Sequence, residues 1–164
     1  MDDKQFWSMI EQAWSGTDGS AEARQQLAQG ELDEEGAEQL VHQSWTEVVP
    51  ALQAALEQLS KDDLLQFDRI LERKLFDLDR AEIQQYTDGS DDGFLYCRGF
   101  IVVAGQAYYD AVNADPSRAM TDLECEDVCY LPARIYNEKF GDMPASGISR
   151  ESTSNAAGWT EEDD

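Results

Sequence analysis

The chain has 164 residues, 35 Asp and Glu against 12 Lys and Arg for a net charge of −23, and 41% hydrophobic residues with aromatics running from Phe6 to Trp159. A globular domain of this length buries roughly 70% of the surface its unfolded chain exposes, so one domain is expected. Repulsion of this size disfavours direct binding to nucleic acid or anionic lipid and favours a basic protein partner.

Asp3 is placed to cap a first helix in which Phe6, Met9, Ile10, Ala13 and Trp14 recur at helical spacing before Gly16 and Gly19. Ser20 opens a short helix through Gln29, and Asp33 opens another that runs through Leu40, Val41 and Trp45 toward Val49. Pro50 is expected to break or kink that helix, because proline lacks the amide hydrogen and clashes with the preceding turn. Ser60-Lys61-Asp62-Asp63 resembles a capping box and opens an amphipathic helix carrying Leu64, Phe67, Leu71, Leu75 and Leu78.

Residues 86–90 read as a loop, after which Asp91 or Asp92 caps a helix from about Gly93 to Ala114, apolar on most of its circumference. Gly99 and Gly105 would allow close approach of neighbouring helices. Asp115-Pro116 ends this element, and Thr121 or Asp122 starts a last helix through Cys125, Cys129, Ile135 and Phe140, with Pro132 kinking or dividing it and Gly141 at its end. The expected architecture is all-α: one globular helical domain over residues 1–141, of about five to seven helices, and a loosely ordered acidic, Ser/Gly-rich tail over 142–164.

Acidity is uneven, with 12 acids and 2 bases in residues 1–60. Cys97, Cys125 and Cys129 cannot all pair and form no C-x-x-C motif, so reduced thiols of a cytoplasmic protein are expected. No basic segment precedes an apolar stretch at the start, and no window approaches 18 uncharged apolar residues; neither a signal peptide nor a membrane span is expected.

Several pieces carry a family resemblance: Phe6-Trp7 with Ile10; Leu64 and Phe67; Ser90-Asp91-Asp92-Gly93-Phe94 followed by Tyr96, Arg98-Gly99 and Gly105; Asp115-Pro116; Leu123-Glu124-Cys125-Glu126 with Tyr130 and Tyr136; and Gly158-Trp159 with Glu161. With these in order, the chain resembles the bacterial family catalogued as domain of unknown function 4240. The resemblance implies a helical fold and no particular activity. Two departures stand out: the stretch from about Thr17 to Val49 is longer and more acidic than the usual link, and Pro132 interrupts a helix that relatives keep intact.

Asp91 and Asp92 can share a divalent cation or act as acid and base; alternatively one caps a helix while the other meets its dipole or pairs with Arg98. If Glu124 and Glu126 fold against them, the four carboxylates make an oxygen-rich site for Mg²⁺, Mn²⁺ or Ca²⁺. Cys125 and Cys129 are spaced i, i+4, but a closed zinc site would need both of them plus Cys97 and the lone His42, and small apolar cysteines in a helix interface are the better reading. Arg98, inside an apolar helix, must find a carboxylate or point into a cleft. His42 is read as structural or solvent-facing.

No P-loop, dinucleotide fingerprint, nucleophile elbow, H-E-x-x-H or EF-hand loop occurs. The function these features favour is a non-catalytic interaction module of the inhibitor or immunity type. Its acidic surface over Glu31, Asp33, Glu34, Glu35 and Glu38 would engage a basic protein, with no cofactor and no resident metal. The alternative is a divalent-metal-dependent hydrolase or small-ligand sensor built on Asp91, Asp92, Arg98, Glu124 and Glu126. Acidity serving only solubility or salt adaptation is the third possibility.

Overall fold

Side-chain caps and helical periodicity set the helix starts in the computed structural model, which describes residues 1–160. The Asp2 carboxylate accepts the Gln5 amide at 2.8 Å while the Gln5 side chain accepts the Asp2 amide at 2.9 Å, a reciprocal box that begins α1 (Asp3–Trp14) one residue earlier than expected. After α2 (Ser20–Gln29), Asp33 caps α3 (Glu34–Gln43) through the Gly36 amide. Ser60 caps α5 (Lys61–Asp77) through the Asp63 amide. Among the described residues all regular structure is helical, and the chain forms one compact domain.

Pro50 does not break its helix. A π-turn, Ser44–Val48, links α3 to α4 (Val49–Leu56), and the Val49 amide donates to the Ser44 carbonyl five residues back. The inward positions Leu40, Ser44, Val48, Leu52 and Leu56 recur every fourth residue, a spacing that drifts by roughly 40° per step in a 3.6-residue helix. One wider turn recovers much of that drift. It also makes room for the proline ring, which would otherwise press on the carbonyl four residues before it.

The helix expected from Gly93 to Ala114 is two helices. Following the short α6 (Ala81–Gln84), α7 (Asp91–Val103) ends at Gly105, whose φ of +113° turns the chain so that α8 (Gln106–Ala114) packs back on α7. Helix α7 lies at the centre, with α5, α8 and α9 (Glu126–Cys129) against it. Gly99 permits the α9 approach, since a Cβ there would meet the Cys125 carbonyl oxygen and Cys129 Sγ at 2.6 Å each. Pro132 divides the expected last helix and sits in the first turn of α10 (Leu131–Phe140), where its missing amide leaves no helical hydrogen bond unmade.

The segment expected to hang loosely from residue 142 is instead docked across α5 and α7. Arg150 is 4% exposed: its guanidinium takes both Asp68 oxygens at 3.1 and 2.8 Å, reaches Glu72 at 2.8 Å, and donates to the Cys129 carbonyl at 2.7 Å. The buried Asp79 carboxylate accepts the amides of Thr153 and Asn155 and the Trp159 indole N–H, at 2.9 to 3.0 Å. Ser and Gly suggest a loose tail by composition, but one arginine and one tryptophan supply the anchors. The expected acidic end, residues 161–164, lies outside the described residues.

Replacing Arg150 with Met strands the buried carboxylates of Asp68 and Glu72 and is expected to lower stability by about 3–5 kcal/mol, read as a fall in the urea midpoint at unchanged slope. The triple variant D68L/E72L/R150M, which removes every charge of the group, is expected to recover most of that loss.

Candidate functional site

Lys and Arg are missing from three stretches, residues 25–60, 81–97 and 119–133, which hold seven, four and four acidic residues respectively. The fold brings all three to one face. A first cleft is walled by Glu34 and Glu38 of α3, by Gln85 and Tyr86, and by residues 119–123; a second is walled by Val41 and Trp45 and by Asp122 with residues 124–127. Asp122 belongs to both, so the clefts adjoin.

Of the five acids expected to form a partner surface, Glu31, Asp33, Glu34, Glu35 and Glu38 are all exposed on or just before the first turns of α3, but only Glu34 and Glu38 line the cleft. Two large aromatics lie open on the same face, Trp45 and Tyr86. His42 meets the Trp45 ring edge-on at 5.5 Å between centroids and is solvent-facing.

The two candidate carboxylate pairs do not form one site. Ser90, not an aspartate, caps α7: its Oγ accepts the Gly93 amide at 3.1 Å and donates to Asp88 at 2.6 Å. Asp91 and Asp92 occupy the first helical turn, exposed, where the helix dipole favours negative charge. The group that does gather is Asp88, Asp122 and Glu124, whose carboxylate oxygens lie within 4.8 Å of one another. Burial, then the charges of Asp88, Asp122 and Glu126, hold the Glu124 carboxyl above its usual range. Burial, followed by the charges of Glu126 and Asp92, pushes the Tyr96 phenol up.

Among the described residues Arg98 has no carboxylate in contact. It is fully buried, donating to the carbonyls of Leu75 at 2.7 Å and Arg150 at 2.9 Å and to Ser152 Oγ at 3.0 Å, with the guanidinium 4.6 Å from the Phe94 ring centroid and Nε unpaired among the described residues. The expected ion pair to Asp91 or Asp92 is replaced by the Leu75 carbonyl of α5 together with the Arg150 carbonyl and Ser152 hydroxyl that the C-terminal segment delivers.

The cysteines are interface residues. Burial pushes Cys97 up to about 12 and Cys125 up to about 11, and it raises Cys129 further still, while Cys129 Sγ contacts the carbonyls of Leu95 and Cys125 at 3.6 Å. Among the described residues they gather with no histidine.

Another cleft, between α5, α10 and residues 143–150, is lined by groups already committed to one another: Arg150 with Asp68 and Glu72, Ser146 with Glu72, and Arg69 with the Pro144 carbonyl. It offers little uncompensated charge. The acidic face does, and its signal in the sequence was the absence of bases from three separated stretches rather than any motif. Asp88, Asp122, Trp45 and Tyr86 were reachable only once those stretches were known to meet.

The family model described as a protein of unknown function, DUF4240, matches residues 35–138. The match runs from the first turn of α3 into the last turn of α10, so it includes every wall residue of the acidic face except Glu34. No curated protein and no solved structure matches the chain.

A carboxylate whose folded pKa is raised weakens the fold once both states are ionised and is neutral to stability below its unfolded pKa. Glu124→Gln is therefore expected to stabilise the protein at pH 7 by less than about 1 kcal/mol, the range of solvent-screened charges. The gain disappears as pH falls through the ordinary carboxylate range, as pH-resolved denaturation would read. Thiol labelling of the native protein at pH 8 should be negligible for all three cysteines and become complete in denaturant.

Proposed function

Because the chain belongs to the DUF4240 family, described as proteins of unknown function, we propose a function from its own surface: a non-catalytic interaction module that engages a basic protein partner, in the manner of an inhibitor or immunity protein. The supporting observation is the convergence of three base-free acidic stretches on one face, with Trp45 and Tyr86 open beside the carboxylates. Such a face attracts a cationic surface at long range and gives it aromatic area at contact. The partner surface proposed here shifts from Glu31–Glu38 alone toward Glu34, Glu38 and the 122–127 segment. No helix among the described residues is long and apolar enough to cross a membrane, and three unpaired thiols suit the reducing cytoplasm as the place of action.

A divalent-metal-dependent hydrolase or small-ligand sensor is the alternative, favoured by the Asp88, Asp122 and Glu124 cluster rather than by Asp91 and Arg98. Calorimetry with Mg²⁺, Mn²⁺ and Ca²⁺ separates the two. Stoichiometric binding abolished by Asp122→Asn would displace the interaction module, whereas the interaction module predicts no saturable heat.

Two variants of equal charge test the module. E38Q/D122N/E126Q/D127N neutralises the face, and E22Q/D62N/D110N/E138Q neutralises four exposed acids elsewhere. Capture from native cytosol is expected to recover a basic protein that elutes as salt rises, about tenfold more weakly bound by the first variant and little changed with the second. Equal weakening by both would return the acidity to solubility or salt adaptation.

A further inference from the structure

Resting on that interaction module, we propose that Trp45 and the carboxylates of residues 122–127 form a socket for an arginine side chain presented by the basic protein partner. Trp45 lies within the π-turn Ser44–Val48. Trp45 is 51% exposed, whereas Trp7 and Trp14 are buried and Trp159 is partly so. The N–H groups of Trp14 and Trp159 are engaged within the fold, on the Val103 carbonyl and on Asp79. An indole left open on a helix that otherwise buries its apolar side is a surface with something still to cover, and a π-turn is a deviation found disproportionately at functional positions. The widened turn lets Ser44 and Val48 face inward and leaves Trp45 facing out, across from the 124–127 segment.

The rest of the socket is complementary to a guanidinium. Val41 and Cys125 supply apolar lining beside the indole, and Asp122, Glu124, Glu126 and Asp127 supply carboxylates. Among the described residues none of these four acids has a salt bridge, and neither helix α3 nor residues 119–133 carries a Lys or Arg to provide one. The fold already sets an aromatic ring and carboxylates around two of its own arginines. Arg24 lies 4.9 Å from the Trp14 ring centroid with both terminal nitrogens on Glu11 at 2.8 Å, and Arg150 lies 5.0 Å from the Tyr130 centroid with its fork on Asp68 and Glu72. A planar guanidinium can stack on an aromatic face and chelate a carboxylate at once; a lysine ammonium, compact and strongly hydrated, draws mainly on the charge. Arginine is therefore the preferred occupant.

Hexa-arginine and hexa-lysine peptides carry equal charge and serve as probes against the full chain, with affinity read by calorimetry and tryptophan emission. Hexa-arginine is expected to bind about three- to tenfold more tightly and to change the emission component that Trp45→Leu removes. In W45L, which keeps apolar bulk at a half-exposed position, the two affinities should become equal while both remain salt-dependent; Trp45→Phe should restore part of the preference. An unchanged preference in W45L, or arginine binding that leaves the Trp45 emission unaltered, would overturn the socket while leaving the acidic interaction face standing. Failure of both peptides to bind the native protein would remove the socket and the acidic face together.

Discussion

The guanidinium of Arg150, held between Asp68 and Glu72, is the interaction on which the rest of the interior depends. Taking these charges out of water is unfavourable and is repaid only by close, multiply hydrogen-bonded geometry, which here joins the C-terminal segment, α5 and the end of α9 at one point. Arg98, a second buried guanidinium, has no carboxylate in contact among the described residues and depends on the carbonyls of Leu75 and Arg150 and the hydroxyl of Ser152. Asp79, at the far end of α5, is neutralised by amides and an indole of the same segment. Charges on α5 and α7 are thus completed by residues 150–159, and α7 is clamped from one side.

The acidic clefts are walled by other elements, α3, residues 85–86 and residues 119–127, and they are linked to the clamp by how the bases are used. Arg24, Lys74, Arg80, Arg98 and Arg150 are engaged inside or at the edge of the fold, and the chain's 35 acids outnumber its 12 bases. The excess gathers where the chain has no base. It is held on a firm support, because the Cys125 amide donates to the Tyr96 carbonyl at 3.0 Å and Gly99 lets α9 seat directly on α7. A like-charged surface fixed in this way stores repulsion that a cationic partner relieves without first having to order the loops it touches.

Local chemistry made most helix starts legible. Asp33 and Ser60 act as caps as their positions suggest, and Pro132 divides its helix. Where two local signals competed, geometry chose between them. Ser90 precedes two aspartates that were equally plausible caps, and it prevails because its short hydroxyl reaches the Gly93 amide while Asp88 accepts from the hydroxyl in turn. At Pro50 the proline signal lost to the four-residue recurrence of buried side chains, and the compromise is a π-turn. Gly105 looked like a packing residue, but its positive φ makes it a corner.

From the amino-acid order alone came the all-helical class, the family, the buried thiols and the base-free stretches, because these rest on periodicity, residue type and charge counted along the chain. Tertiary structure decided which carboxylates share space. It placed Asp88 and Asp122, rather than Asp91 and Asp92, beside Glu124, and it carried Arg98 away from all of them. It also turned a Ser- and Gly-rich segment into the clamp of the core through Arg150, 82 residues from Asp68. Contacts of that span follow from the path of the chain after every helix has packed, and no local spacing rule carries that information.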